Sequence, residues 1–289
     1  RWKTFDGRYL VSIEGVPATS ATVPGPGETI VSMQGALVIP KDVDGDGKIA
    51  GVSFDYTAFD VSNLVGALTQ AGRARDVAGF RDVQRSFVGF AQNFVVADEH
   101  GNVHYSGYTA TPCRSHLART GTGAAMRFAA GADPRLLLDG TRYGAFTIDV
   151  GADNRPDESN ASDPSRCVVP FDRWPSALNP ASGFVLTANN DLGGLSLDGS
   201  LANDEYYLGG PWAPGYRAKT IHDGLAARVA AKDGTIEAMA GLQADHASHL
   251  GLELGPHLRQ AILDARVLTS PATPEETRLR ALYESATPS

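Results

Sequence analysis

"FAQNFVVADEHGNVHYSGYTATPCR", residues 90–114, decides the fold. An apolar strand runs into a turn through "DEHGN", a second strand follows, and the chain leaves at Pro112. This is the pattern of an antiparallel β-hairpin. Just upstream, residues 61–94 repeat apolar side chains at three- and four-residue spacings, as amphipathic helices do, and Gly72 and Gly79 divide them into short pieces. The hairpin therefore follows helices and is expected to enter the core.

Working outward, "GRYLVSIEG" (7–15) and "ETIVSMQGALVIP" (28–40) alternate apolar and polar residues between Gly and Pro, as half-buried strands do. The acidic turn and strand of "KDVDGDGKIAGVSFDYTAFD" (41–60) complete a set of two or three antiparallel strands. Residues 115–170 lack clear periodicity, and "GADNRPDESNASDPSR" (151–166) reads as an exposed, mobile loop. Order returns at "CVVPFDRWPSALNPASGFVLTANND" (167–191). Helical patterns then fill "YRAKTIHDGLAARVA" (216–230) and residues 236–268, the latter broken near Gly255-Pro256, with one last short helix in the tail. The expected class is α+β with a helical C-terminal portion. Residues 1–190 form a strand-rich core with embedded helices at about 60–94 and a long loop at about 115–170, and 191–289 are mainly helical.

Charge excludes one class of partner. The chain carries a net charge of −8 and a pI near 5.3, with 25 scattered Lys and Arg, whereas nucleic-acid binding needs clustered cations. No apolar run reaches the roughly 18 to 20 residues that span a bilayer, so a soluble chain without a membrane partner is expected. No signal peptide is visible at "RWKTFDGRYL". Cys113 and Cys167 are too far apart for CxxC chemistry, and either a long-range disulfide or two buried thiols is open.

Several motifs invite a metal reading. Asp42, Asp44, Asp46 and Gly47 match the first half of an EF-hand loop, but Ser53 stands where the bidentate Glu belongs, so a hydrated acidic hairpin is the preferred reading. His246 and His249 lie three apart on an expected helix without the Glu of HExxH, and read as surface histidines. A metal-dependent hydrolase built on them is the weaker enzymatic alternative. His100 and His104 flank the hairpin turn and are expected to be exposed. Neither a GxSxG elbow nor a P-loop occurs.

Two segments taken together carry a resemblance. The first is the hairpin run with its QN, AD, GN-apolar-x-Y, G and P-x-R landmarks. The second is "NPASGFVLTANND" (179–191), followed by "WAPGYRAKTIHDGL" (212–225). In order and spacing they resemble the penicillin acylase (penicillin amidase) family of N-terminal-nucleophile hydrolases, loosely from residue 10 to 265. The resemblance implies a four-layer αββα sandwich with antiparallel strands. It also implies cleavage of a linear acyl-amide by an N-terminal Ser whose own α-amine is the base. Asn189, first of the "ANN" pair, matches the asparagine that donates to the oxyanion, Asn190 a supporting neighbour, and Arg217 an arginine that orders the site. As isolated residues, Asn189 would read as a strand-end cap and Arg217 as a surface arginine.

Asp204 falls where some members supply a calcium ligand, so no cofactor is required but a structural calcium is implied for the intact enzyme. Arg1 cannot serve as the nucleophile, so the chain is expected to be an interior piece, inactive alone and partnered by the remaining segments of a parent enzyme. The stretch from Arg114 to Asn179 is longer than the family pattern leads one to expect, which leaves the acyl group open. By the same resemblance the setting is periplasmic or secreted, which favours a Cys113–Cys167 bridge. The rival expectation is a non-catalytic binding or structural module on the same scaffold.

Overall fold

The computed structural model describes residues 9–286 apart from 34, 43–48, 50, 60, 61, 90, 145 and 192. The calcium-loop reading at Asp44, Asp46 and Gly47 thus lies outside the described residues. The chain divides into two compact units, Arg1–Ser176 with Gly193–Pro211, and Ala177–Leu192 with Trp212–Ser289.

The first unit is mixed α and β with antiparallel ladders. Strand β1 (Tyr9–Ile13) pairs with β5 (Gly51–Phe54), while β4 (Ala36–Pro40) lies between β2 (Gly15–Ala18) and β3 (Val31–Met33). Helix α1 (Leu64–Ala71) starts where the Asn63 side chain accepts the Gly66 N–H, and α2 (Val77–Gln84) where Asp76 accepts that of Gly79. Both caps satisfy N–H groups that the first helical turn leaves open. The α2 face that meets the core carries Val77, Gln84 and the start of an aromatic cluster. Phe80 lies 5.3 Å from Phe94, and Phe87 5.1 Å from Phe94, ring centre to ring centre.

The hairpin forms as its sequence expects. Strand β6 (Phe94–Ala97) pairs antiparallel with β7 (Val103–Ser106) in the register Phe94 to Ser106 and Ala97 to Val103. Its turn is organised by Asp98, whose carboxylate accepts the N–H groups of His100 and Asn102, the Asn102 amide, and the Val77 N–H at the start of α2. Gly101 takes φ +83, a conformation a side chain would strain. These bonds favour the carboxylate, the Asn102 side chain first, and lower the Asp98 pKa from 3.8 to about 2. One expectation is corrected here. His104 is fully buried because β7 is the inner strand of the hairpin, with His104, Tyr105 and Ser106 all buried, while His100 at the turn is exposed.

Residues 115–170 are irregular yet contribute core. Beyond the short ladder β8 (Arg119–Thr120) with β9 (Arg127–Phe128), Ile148 and Val168 pack with Val88 and Ala110, and Leu117, Ala132 and Tyr143 form a second cluster. The 151–166 stretch is tied by aspartates that accept N–H groups two residues on, as Asp157 does from Ser159 and Asp163 from Ser165. Arg166 bonds Asp149 across it at 2.5 Å. Cys113 and Cys167 are joined by a disulfide, beside a Cys113 N–H to Cys167 C=O bond of 2.9 Å.

The second unit is helical: α3 (Tyr216–Ala231), α4 (Ile236–Gln243), α5 (His249–Val267) and α6 (Pro274–Ala286). The expected break at Gly255-Pro256 is corrected, because Pro256 lies inside α5. The chain breaks earlier, where Asp245 accepts the Ala247 N–H and the Ser248 hydroxyl caps α5 through Gly251 N–H. Proline removes the bond to the Leu252 carbonyl, a defect worth about 3 kcal/mol in an isolated helix. Packing against α3 and α6 outweighs it, and Arg280 of α6 donates to the last carbonyls of α5 at Ala265 and Arg266. No described helix is long and apolar enough to cross a membrane.

Two outcomes follow. The disulfide closes a loop of separation 54, so the Cys113→Ala/Cys167→Ala variant should lose about 4 kcal/mol of stability in chemical denaturation, and unchanged stability would contradict the bridge. Because the folded-state pKa of Asp98 is depressed, its stabilisation is complete above the unfolded value of 3.8 and disappears as pH falls through about 2. Asp98→Asn should flatten the stability profile in that window, as read by denaturation at pH 2 to 5.

Candidate active site

The "ANN" turn and the first turn of α3 both belong to the second unit, and an arginine joins them. Arg217, the second residue of α3, donates from Nη2 to the Ala188 carbonyl at 2.7 Å and to Asn189 Oδ1 at 2.9 Å. The Asn189 carbonyl in turn accepts the Ala213 N–H at 2.8 Å, and Asn190 Oδ1 accepts the Ala188 N–H at 3.1 Å. Asn189 sits at φ +59, a left-handed conformation that asparagine tolerates better than most residues, because its short amide can bond locally. Two adjacent amides thus do different work: Asn190 folds back on the turn, and Asn189 turns outward to the arginine.

The chemistry of the partner settles which end of the Asn189 carboxamide remains. A guanidinium only donates, so it takes the oxygen. The amide nitrogen, on an exposed residue, has no hydrogen-bond partner among the described residues and is left as a donor. The nearby positive charge also polarises the carboxamide and makes that N–H a stronger donor. A neutral donor fixed against a cation suits an incoming oxygen that gains negative charge, since it cannot titrate away.

Arg217 also lines a largely apolar cleft of about 840 Å³ in the same unit, walled by Ile221, Ile236, Met239, Leu242 and the turn at 245–249. His249 of that wall lies 3.6 Å, through Nε2, from Asp223, which accepts from Lys219 Nζ at 2.7 Å and faces His222 Nδ1 at 3.2 Å. The Lys219 bond first, then His222, lowers the Asp223 pKa.

The histidine reading changes in this light. His246 is exposed in the turn before α5 and His249 is the first residue of that helix, so they do not share one helix face. The Asp245 and Ser248 caps start the helix between them. Among the described residues no group of three or more His, Cys, Asp or Glu is disposed to hold a metal. Asp204 is half-buried in the first unit and belongs to no such group among the described residues.

Sequence reasoning named Asn189, Asn190 and Arg217, and the structure brings the three together. It did not single out Ala188 or Ala213, whose contributions are backbone groups and leave no side-chain signal. Nor did it weigh Asp223, which meets His249 only through the packing of α3 on α5.

A family model described as penicillin amidase matches residues 24–284. No curated protein matches the chain. Among solved structures the chain is similar to a thermostable penicillin G acylase from Alcaligenes faecalis, at 18% identity and a TM-score of 0.41. The match covers 88% of this chain and 42% of that one, so the chain spans less than half the length of the chain it matches.

Replacing Arg217 with Met should release the turn without touching its backbone partners. Hydrogen exchange at the Ala213 amide, which bonds Asn189 C=O, should then quicken by several-fold to about tenfold; an unchanged rate would show that the turn stands without the arginine.

Proposed function

Because the chain belongs to the penicillin amidase family, we propose that it is the central part of an amidohydrolase of the penicillin acylase type, cleaving a linear acyl-amide. On this reading its antiparallel ladders and helices form part of an αββα sandwich. The nucleophile is the hydroxyl of an N-terminal Ser carried by polypeptide beyond these 289 residues.

That hydroxyl attacks the amide carbon while the Ser α-amine takes its proton. The carbonyl oxygen becomes an oxyanion and accepts the Asn189 Nδ2–H. Collapse breaks the C–N bond, the α-ammonium returns the proton to the departing amine, and water hydrolyses the acyl-enzyme by the same route. Arg217 acts through Asn189: it holds Oδ1, which aims the amide nitrogen outward, and its charge strengthens the donor. The observation that carries this reading is the 2.9 Å Arg217–Asn189 bond, which leaves the exposed amide NH2 of a non-titrating side chain unshared among the described residues. An exposed donor is what a reacting group from another segment requires. The Cys113–Cys167 disulfide supports a periplasmic or secreted setting, where such bonds persist.

A second reading, a non-catalytic module on the same scaffold, draws on that same exposure, since no wall of the 840 Å³ cleft is formed by Asn189. Turnover separates the two. In the parent enzyme Asn189→Ala should lower kcat on a chromogenic acyl-amide by roughly 10² to 10³ with the fold unchanged, the effect of losing one oxyanion donor. A loss below about threefold would remove Asn189 from the reaction and leave the scaffold reading. The 289-residue chain alone should show no turnover.

A further inference from the structure

Arg114 closes the P-x-R run of the first unit, and its guanidinium makes no hydrogen bond or ion pair among the described residues. It is far from idle in its packing. The guanidinium carbon lies 5.5 Å from the centre of the Tyr207 ring, which meets Phe128 edge-on at 5.7 Å. Arg119 approaches the other side of that pair, 5.7 Å from Phe128, with Nε and Nη2 buried and unpartnered. Asp133, the carboxylate that acts on Tyr207, is already held by Arg135 through two bonds of 2.9 and 2.7 Å. Three arginines, Arg114, Arg119 and Arg135, thus lie about this aromatic pair with one carboxylate, Asp133. Burial lowers the Arg114 pKa, and burial followed by the Arg114 charge lowers that of His116.

The backbone is committed to this arrangement. Arg114 takes φ +52, left-handed for a residue with a long side chain. It is held there by the bridged Cys113 on one side and by the Leu117 N–H to Arg114 C=O bond on the other. Strain of this kind persists where surrounding structure enforces it, and it concentrates at functional positions.

Arg114 also lines a cleft of about 350 Å³ together with Asp55, Gln92, Asn93 and Trp174. Gly107 shows how its polar atoms converge: a Cβ there would lie 2.9 Å from Asn93 Oδ1, 3.1 Å from Tyr105 Oη and 3.7 Å from Trp174 Nε1. Tyr105 donates to Asn93 Oδ1 at 2.7 Å, which leaves the Asn93 amide nitrogen as a donor. The Trp174 indole N–H has no acceptor among the described residues. Asp55, the one carboxylate among the described residues of the wall, accepts the Phe146 N–H at 3.1 Å and would repel a doubly charged anion such as phosphate more strongly than a singly charged one. Arg114 and these neutral donors line one cleft, and a planar guanidinium fork matches a single carboxylate.

We propose that this cleft binds a small organic carboxylate, with Arg114 as its anchor and Asn93 and Trp174 as neutral donors. Its test reads binding alone, so its failure is distinguishable from a failure of the amidohydrolase reading. The 289-residue chain is titrated with butyrate and with butyramide while the Trp174 indole N–H resonance is followed by NMR, assigned with Trp174→Phe. Butyrate should give a saturable shift and butyramide should bind at least about tenfold more weakly, as expected when a charged hydrogen bond is lost. Arg114→Gln should weaken butyrate by a similar factor, and Arg114→Lys, which keeps the charge but not the fork, should fall between. Equal binding of the two probes, no saturable shift, or an Arg114→Gln variant that binds butyrate as the wild type does would overturn the proposal. Should Arg114→Gln fail to fold, the two probes on the wild type and on Arg114→Lys decide it.

Discussion

The candidate site rests on one guanidinium. Arg217 reaches from the first turn of α3 to a carbonyl and a side-chain oxygen on consecutive residues, Ala188 and Asn189, and so ties a left-handed turn to a helix 28 positions along the chain. Charge-assisted bonds of this kind are about twice as strong as neutral ones. They also decide orientation, since a donor-only partner leaves the Asn189 carboxamide one way to face. The value of the contact lies in that orientation more than in its contribution to stability, because both residues are exposed and water competes for them.

The first unit is stabilised by different means. Its core is split between the Val88, Ala110, Ile148, Val168 cluster and the Leu117, Ala132, Tyr143 cluster, and much of the chain between them is irregular. The disulfide from Cys113 to Cys167 and the aspartate-organised turns supply the order that long strands would supply elsewhere. One consequence is that Arg114, next to the bridge, can be held in a conformation it would not choose.

What the sequence revealed followed from local physics. The hairpin was legible because alternation and a "DEHGN" turn agree, and the turn works through Asp98 as that pattern implies. Misreadings arose where tertiary packing overrides a local signal. Pro256 looks like a helix end, yet packing on α3 and α6 carries α5 through it, while the quieter Asp245 and Ser248 caps mark the true start. His104 beside a turn looks exposed, but burial depends on which strand faces inward. Cys113 and Cys167 were compatible with either redox state, because pairing is a distance and not a pattern. Asn189 and Arg217 were named through family resemblance; no periodicity links residues 28 apart, and their bond appears only when the chain is folded. That Arg114 stacks on Tyr207 without an ion-pair partner among the described residues left no trace in sequence, since it is a property of surroundings.

The central claim is that Arg217 acts through Asn189, and not independently of it. A double-mutant cycle on kcat in the parent enzyme, with Asn189→Ala, Arg217→Met and the pair combined, addresses it directly. If the account is right, the double variant will be about as slow as Asn189→Ala alone, because an arginine with no amide to orient has nothing left to contribute. Losses that simply multiply would mean that the two residues serve separate steps, and the oriented-donor account would be wrong.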